Sequence, residues 1–266
     1  IAFLDRKGAV ILDARGEPVE REIRQTAMSG ALIGKGNHRH FMEKEIHEQP
    51  TGIGETLNAY YDVIGKKVNL PRAKFNINKI PKIQIVACGT SYYAAMVGKY
   101  WIEDIAKIPV EVDVASEFRY RKPVYAKGGL TLLISQSGET ADTLAALRHA
   151  KENGQYIASI VNVQSSTIAR ESDLIIPTLA GPEIGVASTK AFTTQLAGLL
   201  MLVASVGHCR GNLSAAAEAE HGDTKDCRDT EFPHRHLRAR TLNRRQASEI
   251  HTYIATVGVN SFYLLT

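Results

Sequence analysis

The chain has 266 residues, of which 44% are hydrophobic, 23% charged and 7% aromatic, and its formal net charge is +4. This composition is typical of a globular protein and excludes a collagen-like, coiled-coil or disordered chain. Its apolar segments are shorter than the roughly 18 residues of a membrane helix, so we expect a soluble protein without a membrane partner. The small, interspersed basic surplus argues against nucleic acid, which favours a basic stripe on one face.

The cysteines and histidines indicate neither a disulfide framework nor a metal site. The three cysteines, Cys88, Cys209 and Cys227, form no CxxC pair, and their odd number is typical of a reducing compartment. We therefore predict a cytoplasmic location. Cys209, Cys227, His234 and His236 follow one another at spacings of 18, 7 and 2 residues, which match no common zinc finger. We predict no metal and no cofactor.

The first part of the chain contains short strands and a polar connection. Strands are predicted at 1–4, 10–12 and 18–23, with a turn before the last of them. Residues 24–50 are polar and rich in glycine and end in GKGNHRHFMEKEIHEQP, which indicates a linker or docking segment. A helix is predicted at about 54–64. The main folded body is therefore expected to begin later in the chain.

From residue 83 onward, apolar strands alternate with helices. The predicted strands are 83–87, 110–114, 130–134, 156–161 and 174–177, and the predicted helices are about 90–106, 140–152, 167–171 and 190–206. Continuous apolar strands that alternate with helices predict a parallel sheet with both faces covered. The expected fold class is α/β, a three-layer α/β/α sandwich with a five-stranded parallel sheet.

The strongest candidate for chemistry is the sequence SQSGET at 135–140. It follows an apolar strand and begins a helix, where free N–H groups and partial positive charge favour an anion, phosphate above all. Gly138 allows a ligand to approach the backbone closely. An ordinary helix cap is the alternative interpretation. A cap needs only one hydroxyl, however, and four hydroxyl or amide side chains occur here: Ser135, Gln136, Ser137 and Thr140.

Two other segments offer polar groups before a helix. The sequence CGTS at 88–91 repeats the strand–turn–helix arrangement, and ligands of open α/β sheets bind where the strand order reverses. Both turns could therefore face one ligand. Cys88 is interpreted as a small buried hydrophobe rather than a nucleophile, because no His lies near it in sequence. The loop AGPEIGVASTK could bind a ligand or merely cap the last helix, and its polar side chains are Glu183, Ser188, Thr189 and Lys190.

Five sequence blocks resemble a sugar isomerase (SIS) domain: CGTSYYAAMVGKYWIEDIA, ASEFRYR, SQSGETADTLAALR, RESD and EIGVASTKAFTTQL. They are most similar to the first of two such domains in the glutamine–fructose-6-phosphate aminotransferase family, the glucosamine-6-phosphate synthases. The segment HFMEKEIHEQP resembles the connection between the glutaminase and isomerase parts of that family. The resemblance implies a flavodoxin-like fold that binds fructose 6-phosphate or glucosamine 6-phosphate.

The resemblance also implies a role for individual residues and segments. Substrate-binding residues are implied in three motifs: Ser135, Gln136, Ser137 and Thr140 at the phosphate, Thr90 and Ser91 in the same pocket, and Val186 and Ser188 at the sugar end. Four segments are implied: the end of a glutaminase domain at 1–30, a linker and docking segment at 31–74, the SIS domain at 75–213, and a divergent tail at 214–266. The family's catalytic residues lie in regions that this chain lacks, so we expect no catalytic residue and no reaction by the chain alone. A homodimer is expected.

The composition changes abruptly near the end of the chain. Around 221–223 the family-like sequence gives way to DTKDCRDTEFPHRHLRARTLNRRQ, and we interpret this as a frameshift or misread. Two other functions stay open: a regulatory protein that senses a sugar phosphate through its SIS domain, and a free-standing phosphosugar isomerase. The segment HFMEKEIHEQP favours the aminotransferase over both, because neither alternative is expected to contain it.

Overall fold

The computed structural model describes residues 1–6, 8–21, 34–62 and 67–212, and the chain divides into two units, 1–34 and 35–266. In the first unit, β1 (Ala2–Leu4) pairs antiparallel with β2 (Ala9–Ile11). The third predicted strand is reduced to an isolated bridge between Leu12 and Pro18, and its last two residues lie outside the described ranges. The predicted tail, with Cys227, His234 and His236, lies outside them as well.

The second unit contains the strand and helix alternation predicted from the sequence. Its helices are α1 (Phe41–Tyr60), α2 (Thr90–Trp101), α3 (Ala115–Phe118), α4 (Ala141–Glu152), α5 (Thr167–Glu171) and α6 (Lys190–Cys209). Its strands are β3 (Tyr61–Asp62), β4 (Lys67–Val68), β5 (Ile83–Ala87), β6 (Val110–Val114), β7 (Leu130–Ser135), β8 (Tyr156–Val161) and β9 (Leu174–Pro177). A 3₁₀ turn at Ile77–Lys79 and a π-helical segment at Ile102–Ala106 complete the second unit's described secondary structure.

The five long strands form one parallel sheet in the order β6–β5–β7–β8–β9. In this sheet Ala87 pairs with both Val114 and Ile134, and Ser135 pairs with Val161. The order is the flavodoxin-like one, and it reverses between β5 and β7. The turns that follow β5 and β7, CGTS and SQSGET, therefore begin side by side at the point of reversal, where ligands of such sheets bind.

Helices cover both faces of the sheet and create two apolar cores. Side chains alternate between the faces along each strand, so Leu132 belongs to one core and its neighbour Leu133 to the other. The first core lies against α2 and α6 and the second against α3, α4 and α5. Both leucines are fully buried, and each such side chain contributes about 1.5–3 kcal/mol through burial. The predicted three-layer α/β/α class is confirmed.

The limits of the first predicted helix are wrong. The sequence placed a helix at about 54–64, whereas α1 begins at Phe41 and continues through Pro50 to Tyr60. Proline has no N–H to donate to the carbonyl of Ile46, four residues earlier. The side chain of Gln49 donates to that carbonyl instead, with Nε2 3.2 Å from the oxygen. The helix therefore passes through a residue that locally favours a break.

Contacts with α6 and β9 hold α1 against the domain. A Cβ at Gly52 would stand only 3.3 Å from a methyl group of α6, so the helices approach closely at this glycine. The buried hydroxyl of Thr56 donates to the carbonyl of Gly52 at 2.8 Å and accepts from the N–H of Leu179 at 3.0 Å. The hydroxyl of Tyr60 donates to the carbonyl of Pro177. Residues 41–60, which lie largely in the segment predicted as a linker or docking segment, thus form a helix docked on the domain.

Helix α6 is the central helix of the first core. Among the described helices it alone is long and apolar enough to cross a membrane, with a mean hydropathy of 1.4. However, 78% of the apolar 18-residue stretch of α6 is buried inside the structure. The core helix of a globular protein meets the same length and composition test, and the apolar character of α6 is explained by its position between the sheet and α1.

The burial of His208, near the end of α6, predicts that the stability of the fold depends on pH. Burial lowers the pKa of its imidazole, so between about pH 7 and 5 the unfolded chain binds the proton more readily than the folded chain. The free energy of unfolding should therefore fall as the pH drops below about 6.5. We expect His208→Gln to reduce this dependence, measured by urea unfolding at several pH values. An unchanged slope between pH 7 and 5 would contradict this expectation.

Candidate functional site

The amino ends of α2 and α4 lie at the same edge of the sheet. Each helix has twelve residues and follows one of the two strands at the point of reversal. The N-caps are Gly89, with φ of 58°, and Thr140, and neither helix has a side-chain capping hydrogen bond. Uncapped N–H groups at a helix start carry partial positive charge. Two such ends together favour an anion.

The SQSGET loop has one internal hydroxyl and several accessible polar groups. The buried Ser135 Oγ lies 3.2 Å from Thr140 Oγ1 and accepts from the N–H of Gly138 at 3.0 Å. Ser137 Oγ accepts from the N–H of Glu139 at 3.2 Å and is partly exposed. Gln136 and Thr140 are also partly exposed. Ser135 therefore also shapes the loop, and the other three side chains are more accessible to a ligand than Ser135 is.

The SQSGET loop packs closely on the start of α5. Gly138 has φ of 65°, and a Cβ at this position would overlap with Ser166 Oγ and lie 2.5 Å from Ser166 Cβ. The carbonyl of Gly138 accepts from the N–H of Ile168 at 3.1 Å. The Glu139 carboxylate accepts from the N–H of Thr167 at 2.7 Å, and this hydrogen bond lowers the pKa of Glu139. The loop therefore cannot move without α5.

The CGTS turn contributes a partly exposed Thr90 and a buried Ser91. Ser91 Oγ accepts a hydrogen bond from Gln195 Nε2 of α6 at 3.0 Å. Cys88 is a half-buried free thiol that packs against the second core. The turn is thus connected to α6 through Ser91, and the Cys88 side chain packs among apolar groups.

The third loop, between β9 and α6, is held by its own carboxylate. Glu183 Oε1 accepts from the N–H groups of Thr189 and Ala191, at 2.9 and 3.1 Å, and so caps α6. Ser188 Oγ donates to Glu183 Oε2 at 3.2 Å, and the side chain of Val186 is fully exposed. Within the described ranges, no hydrogen bond joins Val186 or Ser188 to the other two loops.

Glu45 of α1 holds the third loop from the other side. This carboxylate is only 2% exposed, and its Oε1 accepts from the N–H of Ile184 at 2.6 Å and of Gly185 at 3.1 Å. A Cβ at Gly185 would stand 2.5 Å from Glu45 Oε2, so a larger residue here would displace the carboxylate from its present position. Helix α1 and the loop that contains Val186 and Ser188 are therefore joined directly.

An ion pair strengthens the same connection. Lys190, the first residue of α6, is 3% exposed, and its Nζ donates to Glu48 Oε2 of α1 at 2.7 Å. Burial opposes ionisation of Glu48, but its ion pairs with Lys190 and Lys44 outweigh this effect and lower its pKa. The lysine therefore serves α1 packing and is not open to a ligand.

Asn162, the residue after β8, joins the SQSGET loop to the third loop. Its N–H donates to the carbonyl of Gln136 at 3.2 Å. Its side-chain amide donates to the carbonyl of Gly181 at 2.9 Å and accepts from the N–H of Ala180 at 3.0 Å. One residue thus joins two loops that follow different strands, the SQSGET loop through its backbone N–H and the third loop through its side chain.

Asn162, Glu45 and Gln195 were not among the site residues predicted from the sequence. A signal existed for Asn162, because a polar residue directly after an apolar strand is the same pattern that identified Ser135. Glu45 and Gln195 lie inside helices, and their spacing does not distinguish them from solvent-exposed polar residues. Within the described ranges, no group of three or more His, Cys, Asp or Glu is placed to hold a metal ion.

The fold and its site define the class of protein. Residues 76–205 match the family model of the SIS domain, and this part of the chain is an SIS domain. The match includes the sheet, the CGTS and SQSGET turns and most of α6.

Comparison with individual proteins identifies the relatives. The chain is 54% identical over 217 residues to glutamine–fructose-6-phosphate aminotransferase of Zymomonas mobilis, and 55% identical over 222 residues to that of Bradyrhizobium diazoefficiens. Each match covers 82% of this chain and 36% of the relative. The resemblance to the aminotransferase family is confirmed, and the chain spans about a third of the length of the curated relatives it matches.

A solved structure supports the same relationship. The C-terminal domain of glucosamine-fructose-6-phosphate aminotransferase from Francisella tularensis superimposes with a TM-score of 0.65 at 47% identity. The superposition covers 68% of this chain and 51% of that chain. The similarity therefore extends from the sequence to the arrangement of the sheet and its helices.

Proposed function

We propose that the chain binds fructose 6-phosphate or glucosamine 6-phosphate and belongs to an enzyme that makes the latter from fructose 6-phosphate and glutamine. The observation that carries this proposal is the SQSGET loop, which stands at the point of strand reversal and leads into one of the two uncapped helix starts at this edge of the sheet. The reaction in this proposal is taken from the names of the relatives, which are aminotransferases with more than 50% identity to the chain. The geometry favours an anion at this site, and we identify that anion as the phosphate group of a sugar phosphate.

The phosphate end of the ligand is assigned to the two turns. A phosphate monoester near neutral pH is an anion that accepts hydrogen bonds, and charge-assisted bonds of this kind are stronger than neutral ones. The assigned side chains are Thr90, Ser91, Ser135, Gln136, Ser137 and Thr140. Val186 and Ser188 are assigned to the sugar end, where the third loop is positioned by Glu45 and Glu183.

We assign the binding of the sugar phosphate to this chain, and we assign no catalytic residue to it. We retain the division into a glutaminase remnant at 1–30, a linker and docking segment at 31–74, an SIS domain at 75–213 and a divergent tail at 214–266. For the whole protein, the resemblance implies a homodimer, and the cysteine pattern indicates a cytoplasmic location. The relatives' amino-transfer reaction would then require parts of the enzyme beyond the SIS domain.

Replacement of Ser137 tests the assignment of the phosphate. Ser137 Oγ already accepts from the N–H of Glu139, so its own proton is available for a phosphate oxygen. Loss of a hydrogen bond to a charged group costs about 1.5–3 kcal/mol, and we expect Ser137→Ala to bind glucosamine 6-phosphate at least ~10-fold more weakly. Titration calorimetry of the purified chain measures this change.

The control variant is Ser165→Ala, which removes an exposed hydroxyl outside both turns and should bind as the unaltered chain does. Glucosamine without phosphate should not bind measurably. If the folded, unaltered chain shows no saturable heat with either fructose 6-phosphate or glucosamine 6-phosphate, the proposed function is wrong for this chain.

A further inference from the structure

We infer that Gln195 is a positioning residue that orients the hydroxyl of Ser91, so that its proton points toward the bound phosphate. This inference rests on the proposed function. Gln195 lies on α6 and is only 2% exposed, whereas Ser91 lies in the first turn of α2 and is 8% exposed. The hydrogen bond between Gln195 Nε2 and Ser91 Oγ, at 3.0 Å, joins residues 104 positions apart in the chain.

The direction of this hydrogen bond decides what Ser91 can offer a ligand. A serine hydroxyl has one proton and two acceptor lone pairs, while an amide N–H can only donate. Because Gln195 occupies a lone pair, the proton of Ser91 must find another acceptor. A phosphate oxygen at the start of α2 is such an acceptor, and an anion has no proton of its own to donate. Gln195 thereby makes Ser91 a donor to phosphate.

Without this amide, no donor fixes the lone pairs of Ser91 Oγ, and the hydroxyl could rotate so that its proton points away from the ligand. The amide of Gln195 opposes this rotation, because the rotated hydroxyl would lose its bond with Nε2. The position of the Ser91 proton is thus set from α6, by a residue 104 positions further along the chain.

The other end of the same amide supports a role beyond packing. Gln195 Oε1 is buried and has no hydrogen-bond partner in the part of the chain that the structure describes. An unsatisfied buried carbonyl is costly, and α6 has apolar residues at most of its buried positions, including Leu196 and Leu199. Leucine or methionine would fill this position without the cost. A glutamine at this position is explained if its N–H is needed at Ser91.

A double-mutant cycle tests the inference by calorimetric titration with glucosamine 6-phosphate. We expect Ser91→Ala to weaken binding about 10-fold, and Gln195→Met, which keeps the side-chain length, to weaken it about 5-fold. The double variant should bind no more weakly than Ser91→Ala alone, because Gln195 acts only through Ser91. If the two losses multiply instead, Gln195 acts independently of Ser91 and the inference is overturned.

A second variant tests the direction of the hydrogen bond. In Gln195→Glu, a carboxylate would accept the proton of Ser91 and repel the phosphate, and we expect a loss of about 100-fold, larger than for Gln195→Met. Binding as tight as in the unaltered chain would mean that an oxygen already faces Ser91, which would also overturn the inference. Thermal unfolding of each variant confirms that it is folded, and Gln195→Leu replaces Gln195→Met if the latter is not.

The outcomes separate this inference from the proposed function. If the unaltered chain does not bind glucosamine 6-phosphate, the proposed function fails. If it binds, and Ser137→Ala weakens binding while Ser91→Ala does not, the function stands and the role of Gln195 is refuted.

Discussion

The variant Gly138→Ala should lose about 3 kcal/mol or more of its free energy of unfolding. The left-handed backbone at Gly138 costs an L-residue roughly 1–2 kcal/mol, and forced overpacking adds typically 1–3 kcal/mol. Overpacking is unavoidable here because a Cβ would overlap with Ser166 Oγ, and Ser166 is a buried cap of α5. Urea unfolding measures the loss. We also expect binding of glucosamine 6-phosphate to disappear, because the SQSGET loop must shift.

Gly154 provides a matched control for this effect. Its φ of 71° is close to that of Gly138, but no atom lies within 4 Å of a Cβ built there. Gly154→Ala should therefore show only the backbone cost, about 1–2 kcal/mol. The difference between the two variants isolates the contact with Ser166. Equal losses would mean that the close packing of the loop on α5 contributes nothing.

The variant Glu45→Ala should lose about 3 kcal/mol of stability, the second large effect that we expect. The buried carboxylate accepts from two backbone N–H groups, and hydrogen bonds to a charged group contribute about 1.5–3 kcal/mol each. Its loss leaves the N–H groups of Ile184 and Gly185 without their acceptor. Urea unfolding measures the stability, and amide hydrogen exchange at these two residues should become faster.

Glu55 on the same helix is the control for this prediction. It is exposed, so Glu55→Ala changes helix propensity by a similar amount and should leave both stability and exchange close to those of the unaltered chain. Unchanged protection of Ile184 and Gly185 in Glu45→Ala would contradict the view that α1 holds the third loop. Weaker binding of the sugar phosphate would connect α1 to the ligand.

Much of the SIS domain could be predicted because its signals are local. Apolar runs such as Ile83–Ala87 are short and continuous, and Asn153 and Gly154 stop a helix by their own conformational preferences. The SQSGET loop could be identified for the same reason, since its hydroxyls stand directly between a strand and a helix. The limits of α1 could not be predicted, because Pro50 and two glycines locally disfavour a helix. The helix is stabilised by its packing against α6, which the sequence does not show.

The sequence by itself determined the α/β class, the strands and helices after residue 83, and the polar turns at their ends, because each depends on residues adjacent in the chain. Only the tertiary structure decided which turns lie side by side, since strand order is set by packing. It alone placed Glu45, Asn162 and Gln195 against the loops, through hydrogen bonds that span up to 140 residues. Such distant partners leave no periodic pattern in the sequence, because their pairing exists only after the sheet and its helices have packed.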